Sequence, residues 1–191
     1  KRLERVRDAL RHDGSITAAV YAAGFESGSR FYENATGALG MTPSEFRRGG
    51  EGAEVAYAIA RTYLGLALVA VTDVGVCRID LGDDPETLVA RLHDAFPKAL
   101  LQAADPVLEG RIAQALACLE EPQRAADLPL DIRGTAFQRQ VWAALRAIPP
   151  GTRTTYTEIA RRIGRPSAVR AVAHACAANP IAVVVPCHRV L

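Results

Sequence analysis

The residues best suited to chemistry lie at the end of the chain, where Cys187 stands between Pro186 and His188, with Arg189 next. A cysteine reacts as its thiolate, and a neighbouring imidazole or guanidinium favours thiolate over thiol. Because proline restricts the backbone around it, Pro186 should hold the sulfur at one angle to the apolar strand expected over residues 181–185. A lone cysteine at a strand end is usually a buried structural residue, but these neighbours favour a reactive thiol.

The composition narrows the class of protein. The chain has 191 residues, of which 49% are apolar and 23% charged, which predicts a globular protein of one or two domains. No apolar stretch is long enough to cross a membrane, and residues 1–13 show a charged helical pattern that does not resemble a secretory signal. The four cysteines are scattered without a Cys-x-x-Cys pair, so neither a zinc cluster nor a disulfide framework is predicted, and a reducing cytoplasm fits.

Charge is distributed unevenly along the chain. Residues 131–191 contain nine arginines and two acidic residues, a net charge of +7, whereas residues 51–130 carry a net charge of −7. A basic block beside a nucleophile suggests a polyanionic substrate whose phosphates supply affinity. A solvated basic face that pairs with the acidic middle segment would give the same counts, so charge alone leaves both interpretations open.

The first 52 residues predict a small helical unit and a linker. Apolar residues recur at helical spacing over residues 1–48, with a turn near Gly24 and a capping box that begins at Thr42. Helix, glycine-bearing turn and helix is the plan of a helix-turn-helix, although any small helical bundle could show the same pattern. Residues 49–52 are glycine-rich and predict a linker.

The middle segment, residues 53–129, predicts a small α+β unit. Strand-compatible runs alternate with turn residues, and two apolar periodicities of 3.6 residues follow them. The predicted strands are 54–60, 64–71 and 74–81, and the predicted helices are 85–96 and 106–119.

The last segment, residues 130–191, predicts a second helix-turn-helix before the nucleophile. An amphipathic helix over 135–148 precedes a helix that begins with a capping box at Thr155, and Ser167 is expected to cap a third helix. This third helix is rich in alanine and has one long basic side chain, Arg170. Such a helix suits insertion into a DNA groove, and it equally suits tight packing in a core with a surface arginine.

Together these motifs resemble the O6-alkylguanine-DNA alkyltransferase family, over roughly residues 130–191. The matching residues are Gly134-Thr135-Ala136-Phe137-Gln138, Val141-Trp142, Ile148-Pro149, Thr155-Tyr156, Arg170-Ala171-Val172, Asn179-Pro180 and Pro186-Cys187-His188-Arg189-Val190. Residues 53–129 resemble the amino-terminal subdomain of that family, and residues 1–48 resemble the second helix-turn-helix of an AraC-type regulator. The resemblance implies an α+β fold: a partial AraC-type helical segment, a small ribonuclease-H-like α/β subdomain, and a mostly helical, winged-helix-like alkyltransferase domain.

The resemblance also implies a reaction. Cys187 would take the methyl group from O6-methylguanine in DNA, and also from O4-methylthymine, and keep it as a thioether. His188 would act as base through a water, and Tyr156 would assist proton transfer to the departing guanine. Arg170 would fill the vacated base stack, and Asn179 would brace the recognition helix against the active-site turn. The resemblance places further DNA contacts at Ala168, Ala171, Thr155, Arg165, Ser167 and Arg30.

The same resemblance implies no cofactor and no metal, and a monomer that acts on double-stranded DNA in the bacterial cytoplasm, at the nucleoid. Promoter DNA would bind through residues 1–48, in a protein that also activates transcription. The family's glutamate that orients the histidine, and the lid after the nucleophile, are expected downstream of Leu191. His174 occupies a position where the family usually has glycine.

Two other hypotheses remain open from the residues. The chain could be a DNA-binding regulatory fragment without alkyltransferase activity, which the helical segment 1–48 and the basic block favour. It could also be a thiol hydrolase that uses Cys187 and His188, for which the sequence offers no positioned third residue.

Overall fold

A four-stranded sheet forms the middle of the fold in the computed structural model, which describes residues 53–102 and 104–191. The strand order is β3-β2-β1-β4, with β1 antiparallel to β2, β2 antiparallel to β3, and β1 parallel to β4. The strands are β1 (Glu54–Thr62), β2 (Gly65–Val71), β3 (Val76–Gly82) and β4 (Leu100–Gln102). The three strands predicted from the sequence are confirmed, whereas β4 was missed because three residues are too few to show alternation.

Five α-helices accompany the sheet among the described residues, so the mixed α+β class is confirmed. They are α1 (Pro85–Ala95), α2 (Pro106–Glu120), α3 (Ala136–Arg146), α4 (Tyr156–Arg162) and α5 (Val169–Ala177), with 3-10 helices at Pro122–Asp127 and Cys187–Arg189. Asp84 and Asp105 cap α1 and α2 by accepting hydrogen bonds from backbone N–H groups of the first turn. Within the described ranges, none of these helices combines the length and apolarity that crossing a membrane requires.

The two faces of the sheet are covered by different helices. On one face, Leu68 and Cys77 pack with Leu88 and Leu92 of α1 in one buried cluster. On the other face, the sheet shares a single buried cluster with α2 to α5, in which Ile79 lies together with Trp142. Because this core continues from residues 53–129 into residues 130–191, the sheet and the three last helices share one hydrophobic core.

The turn between α4 and α5 differs in detail from its prediction. Gly164 ends α4 with φ of +71°, and the N–H of Arg165 donates back to the carbonyl of Ala160 at 2.8 Å. Helix α5 has Ala168 as its cap, with no side-chain hydrogen bond. The prediction that Ser167 caps this helix is therefore wrong, because the turn that starts at Arg165 places Ser167 one residue too early.

The expectations for residues 1–48, for the linker 49–52 and for Arg30 lie outside the described residues.

Two glycines give opposite predictions for stability. A Cβ on Gly134 would lie 2.6 Å from Cζ3 of Trp142, whose indole is fixed by a 2.8 Å hydrogen bond to the carbonyl of Ala175. Gly134→Ala should lower the free energy of unfolding by about 2 kcal/mol, because the buried ring cannot move without strain. The matched control is Gly110→Ala in α2, where a Cβ meets nothing within 4 Å. That change should raise the free energy of unfolding by about 1 kcal/mol, because alanine has a higher helix propensity than glycine. Equal effects of the two substitutions in urea unfolding would contradict the packing of Gly134 against Trp142.

Candidate active site

The segment before Cys187 is a series of turns rather than the expected strand. Only Ile181 makes a strand-like bridge, to Ile79 in β3. The N–H of Ile79 donates to the carbonyl of Pro180 at 3.0 Å, and the N–H of Ala182 donates to the carbonyl of Ile79 at 3.1 Å. The strand prediction for residues 181–185 is wrong because, after this one pairing with the sheet edge, the chain turns twice.

Both turns are tight and lie close to Cys187 in the chain. At the first, Val183 has φ of +67° and the N–H of Val184 donates to the carbonyl of Ala182 at 2.7 Å, which defines a γ-turn. A β-branched residue with positive φ is strained, and such strain persists only when surrounding contacts fix the backbone. At the second, Pro186 has φ of −83° and ψ of 65°, the values of an inverse γ-turn. There the N–H of Cys187 donates to the carbonyl of Val185 at 2.9 Å.

The side chain of Asn179 connects these turns to helix α5. Its Oδ1 accepts from the N–H of Ile181 at 3.0 Å, and its Nδ2 donates to the carbonyl of Val185 at 2.8 Å. The same Nδ2 lies 3.5 Å from Sγ of Cys187, within donating distance of a sulfur. Asn179 follows the end of α5, so one amide group links that helix, the strained loop and the thiol.

The 3-10 helix Cys187–Arg189, called the cysteine turn below, is held on its other side by the loop before α4. The N–H of Thr154 donates to the carbonyl of Arg189 at 2.9 Å, and the N–H of Leu191 donates to the carbonyl of Thr154 at 2.9 Å. The Arg189 guanidinium donates to the carbonyl of Ile148 at 2.8 Å. Arg189, which the sequence suggested as an electrostatic neighbour of the thiol, thus ties the 3-10 helix to the end of α3.

Burial separates Cys187 from the other three cysteines. Cys187 is half-buried, whereas Cys77, Cys118 and Cys176 are buried. Desolvation, followed by the charge of Asp131, raises the pKa of Cys77 to about 12. Desolvation, followed by the neighbouring Cys187, raises the pKa of Cys176 to about 11. These buried groups stay protonated thiols near neutral pH, and a thiol is a weak nucleophile.

His188 is an exposed neighbour of Cys187. The pKa of the His188 imidazole is lowered, first by partial desolvation and then by the Arg189 guanidinium. A lowered pKa favours the neutral imidazole, which can accept a proton at neutral pH. Within the described ranges, no carboxylate is hydrogen-bonded to this imidazole. The described residues also contain no group of three or more His, Cys, Asp or Glu side chains arranged to hold a metal.

Helix α4 positions two more of the predicted site residues. Thr155 caps the helix, and its hydroxyl accepts from the N–H of Glu158 at 3.1 Å. Tyr156 is the first helical residue, is half-buried and packs against the main core cluster. Its N–H donates to the carbonyl of Leu191 at 3.4 Å, which brings the start of α4 to the cysteine turn.

Helix α5 has one buried face and one exposed face. Its buried residues are Val172, Ala175 and Cys176, and its exposed residues are Arg170, Ala171, His174 and Ala177. Ala168 is half-buried and Ser167 is exposed at the turn that precedes the helix. Arg165 lies with its guanidinium carbon 5.8 Å from the centre of the Phe137 ring, so this predicted DNA contact also has an internal cation–π partner.

Three features of this site carry no signal in the sequence. Valine is not a turn residue, so nothing marks Val183 as the centre of a γ-turn. Ile79 lies far from Cys187 along the chain, and Thr154 reads as part of a loop. Only the tertiary fold brings the two anchors to the turn.

Comparison with known proteins identifies the same regions. A family model described as the DNA-binding domain of 6-O-methylguanine DNA methyltransferase matches residues 136–191, and a helix-turn-helix domain model matches residues 1–49. The bifunctional transcriptional activator/DNA repair enzyme Ada of Escherichia coli is 47% identical over 190 residues. That match covers 100% of this chain and 54% of the relative, so the chain spans about half of the Ada protein.

Solved structures extend the match to the fold. The crystal structure of Mycobacterium tuberculosis O6-methylguanine methyltransferase is 32% identical, with a TM-score of 0.55, and the match covers 72% of this chain and 78% of that one. A structure of the M. tuberculosis OGT protein in complex with DNA is 31% identical at a TM-score of 0.53, with the same coverage. The chain belongs to the O6-methylguanine-DNA methyltransferase family.

The strain at Val183 can be tested by comparing its alanine and glycine variants, which differ only in the presence of Cβ. Where φ is positive, glycine relieves strain, so Val183→Gly should be more stable than Val183→Ala by about 1 kcal/mol. At the buried neighbour Val184, whose φ is not positive, the alanine variant should instead be more stable than the glycine variant, by about 0.5–1 kcal/mol. Urea unfolding of the four variants measures the difference between alanine and glycine at each position. If the same residue is the more stable one at both positions, the strained turn is excluded.

The exposure and the pKa differences predict selective labelling. Iodoacetamide near neutral pH should add one equivalent to the folded chain, at Cys187, because the other three thiols are buried and two of them have strongly raised pKa values. Unfolding in urea should make all four cysteines reactive, which serves as the control. Peptide mapping that finds Cys176 labelled first would contradict this geometry.

Proposed function

We propose that the chain repairs alkylated DNA by moving the methyl group of O6-methylguanine to Cys187, once per protein molecule, and that it accepts O4-methylthymine as well. The observation that carries this proposal is the bond network of Asn179. It holds a half-buried thiol at the end of a helix whose opposite face is exposed and bears Arg170. The names of the family's other members support the same reaction.

The step balances as a displacement at carbon. The Cys187 sulfur forms a bond to the methyl carbon while the bond from that carbon to O6 breaks, and the electron pair stays on the guanine. We assign the thiol proton to His188 through a water and the proton for the departing guanine to Tyr156. Since a thioether is a poor leaving group, the product stays on the protein and no second turnover follows.

The target base must leave the duplex stack before the sulfur can reach it. Flipping a base costs a few kcal/mol, which contacts to the DNA offset. Exposed Ala171 and Ala177 let the backbone of α5 approach a groove closely, and we propose that Arg170 occupies the space of the extruded base. The further DNA contacts that we propose are Thr155, Arg165, Ser167 and Ala168.

Several finer assignments complete this proposal. We interpret residues 53–129 as a ribonuclease-H-like subdomain and residues 130–191 as a winged-helix-like catalytic domain. The protein would act as a monomer on double-stranded DNA, in the cytoplasm at the nucleoid.

A second role is favoured by the amino-terminal match. Residues 1–49 fit a helix-turn-helix model, and the E. coli relative is named a transcriptional activator as well as a repair enzyme. We propose that residues 1–48, with Arg30, bind promoter DNA. A footprint at one promoter that survives excess random DNA would support this role, and salt-sensitive binding without sequence preference would exclude it.

The first experiment is intact-mass analysis after incubation with duplex DNA that contains O6-methylguanine. We expect one added methyl group on the unaltered chain and on Cys176→Ser, and none on Cys187→Ser, because only Cys187 is positioned to attack. Mapping the methyl group to another residue, or finding no mass gain on a chain that binds the duplex, would overturn the proposal.

The Asn179 network predicts a loss of rate without a loss of affinity. Asn179→Ala removes the donor to Val185 and to the thiol, which frees the turn, and a displacement of about 1 Å at a reacting group can cost about 100-fold. We therefore expect single-turnover methyl transfer at saturating DNA to slow by about 10- to 100-fold, with the Kd for unmodified duplex within about twofold. An unchanged rate would show that Asn179 does not position the sulfur.

A further inference from the structure

Most of the arginines in residues 131–191 are occupied by partners within the protein. Seven of the nine have a partner: Arg133 with Asp131, Arg139 with the Gly134 carbonyl, Arg146 with the carbonyls of Ala125 and Leu128, Arg161 and Arg162 with Glu158, Arg165 with the Phe137 ring, and Arg189 with the Ile148 carbonyl. Among the described residues, Arg153 and Arg170 have no such partner. The net charge of this segment therefore overstates the number of cations that are free to bind a ligand.

His174 is a third basic side chain without a partner in the described part of the chain. It is exposed, and it lies one helical turn after Arg170 on the same face of α5. The exposed neighbours Ala171 and Ala177 end at Cβ, so the imidazole extends beyond them. His174 is therefore accessible to a surface that binds this face of α5.

Arg153 lies on the other side of the nucleophile. It is exposed in the loop between α3 and α4, and the next residue, Thr154, makes the two backbone bonds that hold the cysteine turn. The acids of this segment, Asp131 and Glu158, are both engaged with arginines. No side-chain carboxylate within residues 131–191 is therefore left to pair with Arg153 or His174.

We propose that Arg153 and His174 bind backbone phosphates of the substrate duplex, one beside the cysteine turn and one on α5. The inference rests on the proposed function, because it assumes that DNA reaches Cys187 along α5. A side-chain donor without an internal partner gains a phosphate contact and loses no internal bond, and the contact of the Arg153 cation also releases counterions. The planar guanidinium of Arg153 can also donate two parallel hydrogen bonds to one phosphate.

The test measures the Kd for an unmodified duplex by fluorescence anisotropy at several salt concentrations. Arg153→Gln should weaken binding by about 5- to 10-fold and make the slope of log K against log salt shallower by about 0.9. His174→Gln should weaken binding by about 2- to 5-fold, and Arg153→Lys and His174→Lys should retain or tighten it, since lysine also contacts phosphate.

Two matched controls are available on the far side of the sheet. Arg91 and His93 are exposed on α1, and α1 packs on the sheet face opposite to α3, α4 and α5. Arg91→Gln and His93→Gln make the same side-chain changes far from Cys187, and they should leave the Kd within about twofold. Thermal unfolding of each variant confirms that the fold is retained, as expected for exposed positions.

The outcomes separate this inference from the function on which it rests. If the unaltered chain binds the duplex and takes up methyl, but Arg153→Gln and His174→Gln behave like the α1 controls, the phosphate contacts are excluded and the repair function stands. If the unaltered chain neither binds the duplex nor gains a methyl group, both proposals fail. Weakened binding and a shallower slope, restored by lysine, would establish the contacts.

Discussion

The geometry of the site depends on one amide side chain. Asn179 accepts from the N–H of Ile181 and donates to the carbonyl of Val185, and its Nδ2 also reaches the Cys187 sulfur. A partly buried amide in such a network is stable only when its donors and acceptors are all matched. The strained γ-turn at Val183 lies inside this network, so the amide offsets a backbone conformation that valine would otherwise avoid.

The sheet contributes to the site through its edge as well as through its core. Ile79 of β3 is buried in the main cluster while its N–H and carbonyl bind the backbone of residues 180 and 182. Trp142 of α3 fixes the position of α5, because its indole N–H donates to the carbonyl of Ala175 in that helix. Cys187 is thus connected to two rigid elements, which would suit the proposed methyl transfer, a reaction that requires a sulfur aimed at one carbon atom.

Local chemistry in the sequence predicted some of these elements and missed others. Periodic apolar residues and capping residues such as Thr155 are short-range signals, and the helices that they predict within the described residues are present. The turns at Val183 and Pro186 could not be predicted, because an unbroken apolar run has the same composition as a buried strand. The cap at Ser167 failed for a related reason: the turn that starts at Arg165 is set by how α4 ends at Gly164, and not by the nearest hydroxyl residue.

The pairing of Ile79 with the loop before Cys187 has a consequence for how the protein is made. A ribosome adds the sheet edge and Thr154 long before it adds the cysteine, and contacts between distant segments are among the slower ones to form. The thiol is therefore aimed only after both early segments have folded and the late loop has docked on them. The position of the Cys187 thiol is thus a property of the folded molecule and not of its nascent chains.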